Sequence, residues 1–379
     1  MKKTLAAVAV LGAFAGSALA ADVQLYGLVD TGLRYTHFDG DAAAAGYDAV
    51  DKFEMKSGQQ SGSRFGFKGT EDLGNGLTVG FILENQFNSD DGSLSDSDHF
   101  FRREASLFLE GGFGKIAMGR IGSINNGVSS WAQFGMLSAF GTSWDYSAQM
   151  GTWAVGAGIW DNMIAYQTPT FAGFTVYAQY GMGSNNNENE SSSDRYYALG
   201  AKYANGPLNL YLAVDSINYQ TADLAAGVDA DDIDDSLTVT FGGNYDFEVL
   251  KLFAGAQYFD EAKVSSAFGL LGATDYNDTF STKFKGWSLG VSANIPVAGG
   301  SVLVGAGYMD AEAADSQKTA DKDELTRWVV SAGYDYPLSK RTNVYGILTY
   351  AQDSMEYTSK VEDQDPTVFA AMVGIRHRF

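Results

Sequence analysis

The chain has 379 residues, 25 of them basic and 46 acidic, for a formal net charge of −21; it holds 45 glycines, five prolines and no cysteine. The acidic excess argues against any extended nucleic-acid surface, and without cysteine neither a disulfide framework nor a thiolate metal site can form. Beyond the first twenty residues no apolar run reaches the roughly 18 needed for a membrane-spanning helix. A chain this rich in glycine and aromatics can still cross a membrane, but only as a closed barrel.

Residues 1–20 read as a secretory leader. Met1-Lys2-Lys3 is basic, Leu5 to Ala15 is apolar, and Ser17-Ala18-Leu19-Ala20 supplies small residues for cleavage after Ala20. Without Lys2 and Lys3 the remainder carries 23 basic against 46 acidic residues, a formal −23. The expected product is a single exported domain over 21–379.

Strand signals then recur along the whole chain. In the first, Leu25, Gly27, Val29, Thr31, Leu33 and Tyr35 alternate with Gln24, Tyr26, Leu28, Asp30, Gly32 and Arg34. That period of two makes one face greasy and the other polar. The same pattern runs through Leu77 to Phe87, Leu208 to Asp215, Leu237 to Tyr245 and Trp287 to Ile295. Strands are predicted near 23–36, 63–71, 77–88, 101–110, 114–120, 161–168, 173–181, 195–204, 207–216, 236–246, 249–259, 283–295, 301–310, 325–336, 342–352 and 367–379. Single-chain bacterial barrels have an even strand number, and these segments make about sixteen. Short connections such as Asn205-Gly206 and Phe247-Glu248 alternate with long polar ones. The short turns are expected on the periplasmic side and the long loops outside.

Several long loops are acidic, among them Asn185 to Asp194 and the run Asp229, Asp231, Asp232, Asp234, Asp235. The second lacks the mid-loop glycine and terminal glutamate of an EF-hand. Solvated loop surface is the plain reading, with divalent-ion bridging to lipopolysaccharide as the alternative. Counting back from the end, Phe379, His377, Ile375, Val373, Ala371 and Phe369 share one face. A final amphipathic strand closing on an aromatic is expected to act as an assembly signal, centred on Phe379.

At this point the chain resembles the general diffusion porins of Gram-negative bacteria, in the beta-proteobacterial and neisserial branch. The resemblance rests on VQLYGLVD at Val23 to Asp30, SRFGFKGTEDLGNGL at Ser63 to Leu77, GGFGKIAMGR at Gly111 to Arg120, DNMIAYQTPTFAGFTVYAQY at Asp161 to Tyr180 and VGIRHRF at Val373 to Phe379. It implies an all-β fold, a 16-stranded antiparallel transmembrane β-barrel in the outer membrane. It also implies a homotrimer, and a third external loop folded into the lumen. The function implied is passive diffusion of small hydrophilic solutes and ions, with no cofactor.

The stretch from Ile121 to Trp160 would be that loop. It carries Trp131, Trp144, Trp153 and Trp160, and its only charged side chain is Asp145. A loop so long and aromatic would be an aggregation hazard if exposed, so burial is expected on composition as well. By alternation Arg34, Arg64, Lys68 and Arg103 face the lumen, and the resemblance makes such basic side chains a ladder along the pore wall. Arg34 has the alternative of a solvated end-of-strand residue. Arg120 ends a strand just before the loop, either pointing into the constriction or tying down the loop root. The acidic Pro-Glu-Phe-Gly segment usual at the loop tip is missing, leaving Asp145 as its one carboxylate; Glu84 is lumen-facing and could add negative charge. Trp131, Trp144 and Trp153 either stack against solutes or pin the loop to the wall.

Histidine occurs only at His37, His99 and His377, and no Ser-His-carboxylate set suggests itself. Enzyme activity is therefore not expected. Two other readings stay open on sequence grounds: a solute-specific channel, and a structural or adhesive outer-membrane barrel.

Overall fold

A computed structural model describes residues 22–39, 49–142, 151–154, 158–183, 193–219, 234–265, 279–314, 324–356 and 364–379. The expected leader at 1–20, Trp144 and Asp145, and most of the two acidic loop segments lie outside the described residues. The strands are β1 (Gln24–Asp39), β2 (Val50–Ser57), β3 (Arg64–Gly74), β4 (Leu77–Gln86), β5 (Glu104–Gly111), β6 (Gly114–Gly122), β7 (Ile159–Gln167), β8 (Phe174–Gly181) and β9 (Arg195–Asn205). They continue as β10 (Leu208–Asn218), β11 (Leu237–Asp246), β12 (Lys251–Ser265), β13 (Thr279–Val297), β14 (Gly300–Ala313), β15 (Glu324–Pro337), β16 (Thr342–Glu356) and β17 (Thr367–Arg378).

Every wall strand pairs antiparallel with its neighbours, and β1 closes on β17 from Leu28↔Arg378 to Asp39↔Thr367. Just beyond that ladder the Gly27 and Phe379 backbones exchange two further hydrogen bonds, at 3.2 and 3.0 Å. Closure answers a strict demand, since an unpaired sheet edge in hydrocarbon would leave polar backbone unsatisfied at several kcal/mol per group.

β2 departs from the predicted strand set. It pairs with the outer half of β1, Thr31↔Ser57 to Phe38↔Val50, while β3 pairs with the inner end, Gln24↔Lys68 to Leu28↔Arg64. Together β2 and β3 fill one wall position, so the barrel has sixteen wall positions from seventeen segments. Residues 58–63 interrupt that position and fold inward, with Gln59, Gln60, Ser61 and Ser63 buried. The lost ladder bonds are replaced by Asp30, whose Oδ2 accepts the Gln60 and Ser61 backbone N–H groups at 2.9 and 2.7 Å. Its Oδ1 accepts the Tyr345 hydroxyl at 2.5 Å. Gly58 starts the fold at φ +70°, a conformation open to glycine at little cost.

The two faces follow strand parity. Leu25, Leu107, Met118, Leu199, Leu289, Leu348, Val373 and Ile375 are exposed on the outside. So large a continuous apolar surface would aggregate in water and suits lipid. Aromatic pairs edge this belt, with Tyr180–Tyr197 and Trp328–Tyr350 towards the long loops and Phe174–Tyr203 and Tyr245–Phe247 towards the short turns. Inside, buried polar wall residues such as Thr175, Gln179, Thr240, Gln257, Ser288 and Ser331 are interspersed with aromatic and apolar ones. His37 lies within β1 rather than in a loop.

Phe379 is on the outer face and its ring covers Gly27, where an added Cβ would meet ring carbon at 2.5 Å. Deleting Phe379 removes that cover and two backbone bonds worth about 1 kcal/mol each. The yield of folded barrel, read by heat-modifiable gel mobility, should fall, while channels that do insert keep their unit conductance.

Candidate functional site: the lumen and its inward loop

The described parts of the chain between β6 and β7 run inside the barrel along the wall. Ile121, Ile124, Trp131, Phe134, Leu137 and Trp153 join one apolar cluster with inward residues of the wall, including Met163, Tyr177, Tyr196 and Tyr211. Further along, Phe140 packs with Leu303, Val329, Tyr345 and Ile347. Phe134, in a one-turn 3₁₀ helix (Phe134–Leu137), meets Trp153 edge-on at 5.1 Å between centroids. The wall makes room for these rings: a Cβ on Gly255 would lie 2.8 Å from the Trp153 ring, and one on Gly307 would lie 2.5 Å from Thr152 Oγ1.

Polar side chains from successive strands take up the loop backbone. On β5, buried Glu104 accepts the Ser130 N–H at 2.8 Å and the Ser130 hydroxyl at 2.9 Å. On β8, Gln179 accepts from Ile124 N at 2.8 Å and donates to Gly122 O at 3.1 Å. On β10, Asp215 accepts from Asn125 Nδ2 at 2.9 Å, and the Tyr211 hydroxyl donates to Asn125 Oδ1 at 2.7 Å. Asn244 of β11 donates to Met136 O, Ser292 of β13 accepts from Ala139 N, and Gln257 of β12 accepts from Ala154 N, all at 2.8 to 2.9 Å. Arg327 of β15 donates through Nη1 to Gly151 O at 2.8 Å and holds Asp353 through Nε and Nη2 at 2.5 and 2.6 Å. A neutral bond of this kind nets about 0.5 to 1.5 kcal/mol, and burying one large aromatic side chain contributes about 4 to 6 kcal/mol. The rings supply most of the hold and the hydrogen bonds fix the register. Sequence reasoning did not single out these wall partners; their one signal is a large polar residue at inward parity.

The basic side chains stand on β1, β3 and the approach to β5. Arg34 is 1% exposed and bonds Glu54 of β2 through Nη2 at 2.8 Å and Nε at 3.1 Å, so it is not a solvated strand end. Arg103, one residue before β5, donates from Nε to Glu84 Oε1 at 2.5 Å and from Nη1 to Gln86 Oε1 at 2.8 Å. Arg64 approaches the other oxygen of Glu84, Nε to Oε2, at 3.7 Å and remains about a quarter exposed. Two guanidiniums therefore converge on one carboxylate. Lys68 lies nearer the short-turn end, its ammonium 5.2 Å from the Tyr26 ring centroid. Trp131 and Trp153 are 2% and 4% exposed, with their rings turned into the packed cluster instead of towards open lumen. Lys115 Nζ sits 5.3 Å from the Trp131 ring centroid.

Arg120 lies at a register shift between β6 and β7. Its Nη1 meets Asp161 Oδ1 at 2.5 Å and its Nε donates to Arg102 O at 2.9 Å, ties that fix the start of the loop. His99 stands beside them, with Nε2 3.4 Å from Asp161 and Nδ1 3.1 Å from Asp96. Partial burial pushes the Asp96 carboxyl up, but hydrogen bonds from the Asp98 backbone and from His99 outweigh it and hold the group below its ordinary value. Among the described residues no cluster of His, Asp and Glu could hold a metal ion.

Arg327→Met should destabilise the protein by about 3 to 5 kcal/mol, because Asp353 is left buried without its partner. Arg327→Met with Asp353→Leu should recover most of that in thermal unfolding. The double variant still lacks the bond to Gly151, so its open-channel current should be noisier than wild type.

The sequence matches the Gram-negative porin family over residues 6–355. It is 35% identical to an outer membrane porin protein of Bordetella pertussis and 31% identical to outer membrane porin protein 32 of Delftia acidovorans, each over 100% of both chains. The major outer membrane protein P.IB of Neisseria meningitidis serogroup B is 28% identical over 84% of this chain and 96% of its own. The fold superposes on the anion-selective porin from Comamonas acidovorans with a TM-score of 0.67 and 26% identity, covering 95% of this chain and 100% of that one. With its closed barrel, apolar outer belt and inward loop, the chain belongs to the Gram-negative porin family and forms an outer-membrane porin channel.

Proposed function

We propose that this porin prefers anions, and that the preference is set where Arg64 and Arg103 face the inward loop. The observation that carries this reading is the convergence of both guanidiniums on the single carboxylate of Glu84, a local excess of positive charge on wall that is not packed under the loop's aromatic cluster. The loop does little to offset it, since from Ile121 to Trp160 its only charged side chain is Asp145. Charge lining a narrow pore selects ions by sign. Lys68 extends the basic stripe towards the periplasmic end. Arg34, paired with Glu54, and Arg120, paired with Asp161, belong to the support of the constriction. The Comamonas acidovorans relative is likewise an anion-selective porin.

The same reading makes residues 1–20 an export leader and 21–379 the barrel domain, with three copies assembling in the outer membrane. The acidic external loops suit divalent-ion bridges to lipopolysaccharide. Burial of Trp131 and Trp153 gives them the role of holding the loop rather than stacking on solutes.

Replacing both Arg64 and Arg103 by Ala turns the local balance from one net positive charge to one net negative charge. For an ion passing at about 8 Å the change amounts to on the order of 1 kcal/mol after screening. Because the change disfavours an anion and favours a cation by the same amount, the anion-to-cation permeability ratio, from the zero-current potential across a salt gradient in planar bilayers, should fall roughly thirty-fold. Adding Glu84→Gln should restore part of it. An unchanged potential in the double variant would remove these arginines from the selectivity step.

A further inference from the structure

A second concentration of positive charge lies at the inner rim on the short-turn side, on the other side of β1 from Arg64. Between the β13–β14 turn and the β15–β16 turn a cavity of about 390 Å³ is lined by Lys340, Arg376, Arg378, Asp335, Ser339 and Thr342, with Asn343 and Gly300 at its floor. Arg376 and Arg378 project there from the end of β17, and Lys340 comes from the turn between β15 and β16. Three cations thus face one carboxylate.

That carboxylate is already engaged. Asp335 Oδ2 accepts from Gln60 Nε2 at 2.8 Å, and its Oδ1 accepts from Asn343 Nδ2 at 2.7 Å. Arg376 is held in place by donating from Nε to Asn343 Oδ1 at 3.1 Å and from Nη1 to Ser61 Oγ at 2.9 Å, which leaves the rest of its planar fork for another acceptor. The Lys340 ammonium and the Arg378 guanidinium make no ion pair among the described residues. The rim is also braced: the Tyr334 hydroxyl lies 3.2 and 3.1 Å from the Val297 and Ala298 carbonyls, and Arg378 N donates to Arg341 O at 2.8 Å. Like charges gathered around a braced hollow, with the neighbouring carboxylate spoken for, are an arrangement that an added anion stabilises.

We infer that this hollow is an anion-binding site at the periplasmic mouth, taking a small, multiply charged oxyanion of the phosphate or dicarboxylate class. Arg376 supplies fixed, directional donors, and Lys340 and Arg378 close on the ligand from the rim. The site uses side chains other than Arg64 and Arg103, although Arg64 and Arg378 flank the same residue, Leu28, and a pore could conduct anions with or without it.

The test is a titration of the detergent-solubilised full-length protein with inorganic phosphate, followed by ³¹P linewidth, and a parallel titration with succinate. Saturable binding is expected in wild type and in the Arg64→Ala/Arg103→Ala variant. Lys340→Ala with Arg378→Ala should weaken it at least about ten-fold, and Lys340→Ala alone, on an exposed turn, by several-fold. Heat-modifiable mobility verifies that each variant is a folded barrel. Phosphate binding without succinate binding would narrow the ligand to tetrahedral oxyanions, and the reverse would narrow it to dicarboxylates. Absence of saturable binding in wild type would overturn the inference. So would binding unaffected by both rim variants, or binding lost only with Arg64 and Arg103, which would move the site to the constriction.

Discussion

The structure depends on one constraint, that no backbone N–H or C=O may face hydrocarbon without a partner. It forces β1 onto β17 and leaves Gly27 and Phe379 to complete the seam. Once the sheet is closed, strand parity assigns each side chain to lipid or to lumen. The interruption at 58–63 is tolerated because Asp30 and Tyr345 take over where the ladder stops. Most buried polar groups there find a partner, as the low-dielectric interior requires, and Gln59 Oε1 is the exception.

The lumen itself is divided. From β5 round to β16 the loop lies against the wall, and the contact is dry, aromatic and fixed by hydrogen bonds. Towards β3 and the start of β5, Arg64 keeps some exposure, and Arg64, Arg103 and Glu84 form a charged group. Interactions among charges in such a half-wetted space are neither as weak as in bulk water nor as strong as in a dry interior. A permeating ion therefore passes between a nearly uncharged wedge and a charged wall.

Much of this was legible in the sequence, because a two-residue period with lipid on one side leaves a regular trace. The Leu25 to Tyr35 alternation placed β1 correctly, and the terminal run from Phe369 to Phe379 placed β17. β2 was missed although Phe53 and Met55 alternate with Lys52, Glu54 and Lys56. Its eight residues sit inside a long polar connection, where so short a pattern reads as loop. Arg103 falls just ahead of the β5 ladder rather than within it, since strand ends are set by pairing partners that sequence does not display. The wall partners of the loop were hidden for a different reason. Gln179, Asp215, Asn244, Gln257 and Arg327 share the parity of pore-lining residues, and that parity does not tell a side chain facing water from one facing a folded-in loop. Burial of the loop could be argued from its tryptophans, but its path along the wall depends on long-range contacts.

The way the loop is held separates two properties that might have been bound together. Gln179, Glu104, Asn244, Ser292, Gln257 and Arg327 grip backbone atoms of Ile124, Ser130, Met136, Ala139, Ala154 and Gly151. Main-chain amides and carbonyls are the same whatever side chain they carry. Apart from the buried rings, the anchorage is thus indifferent to the loop's own side chains, and exposed loop positions are free to change charge or size without loosening the wedge. Such a channel can drift from one solute preference to another by single substitutions while its barrel, its seam and the seat of its loop stay as they are.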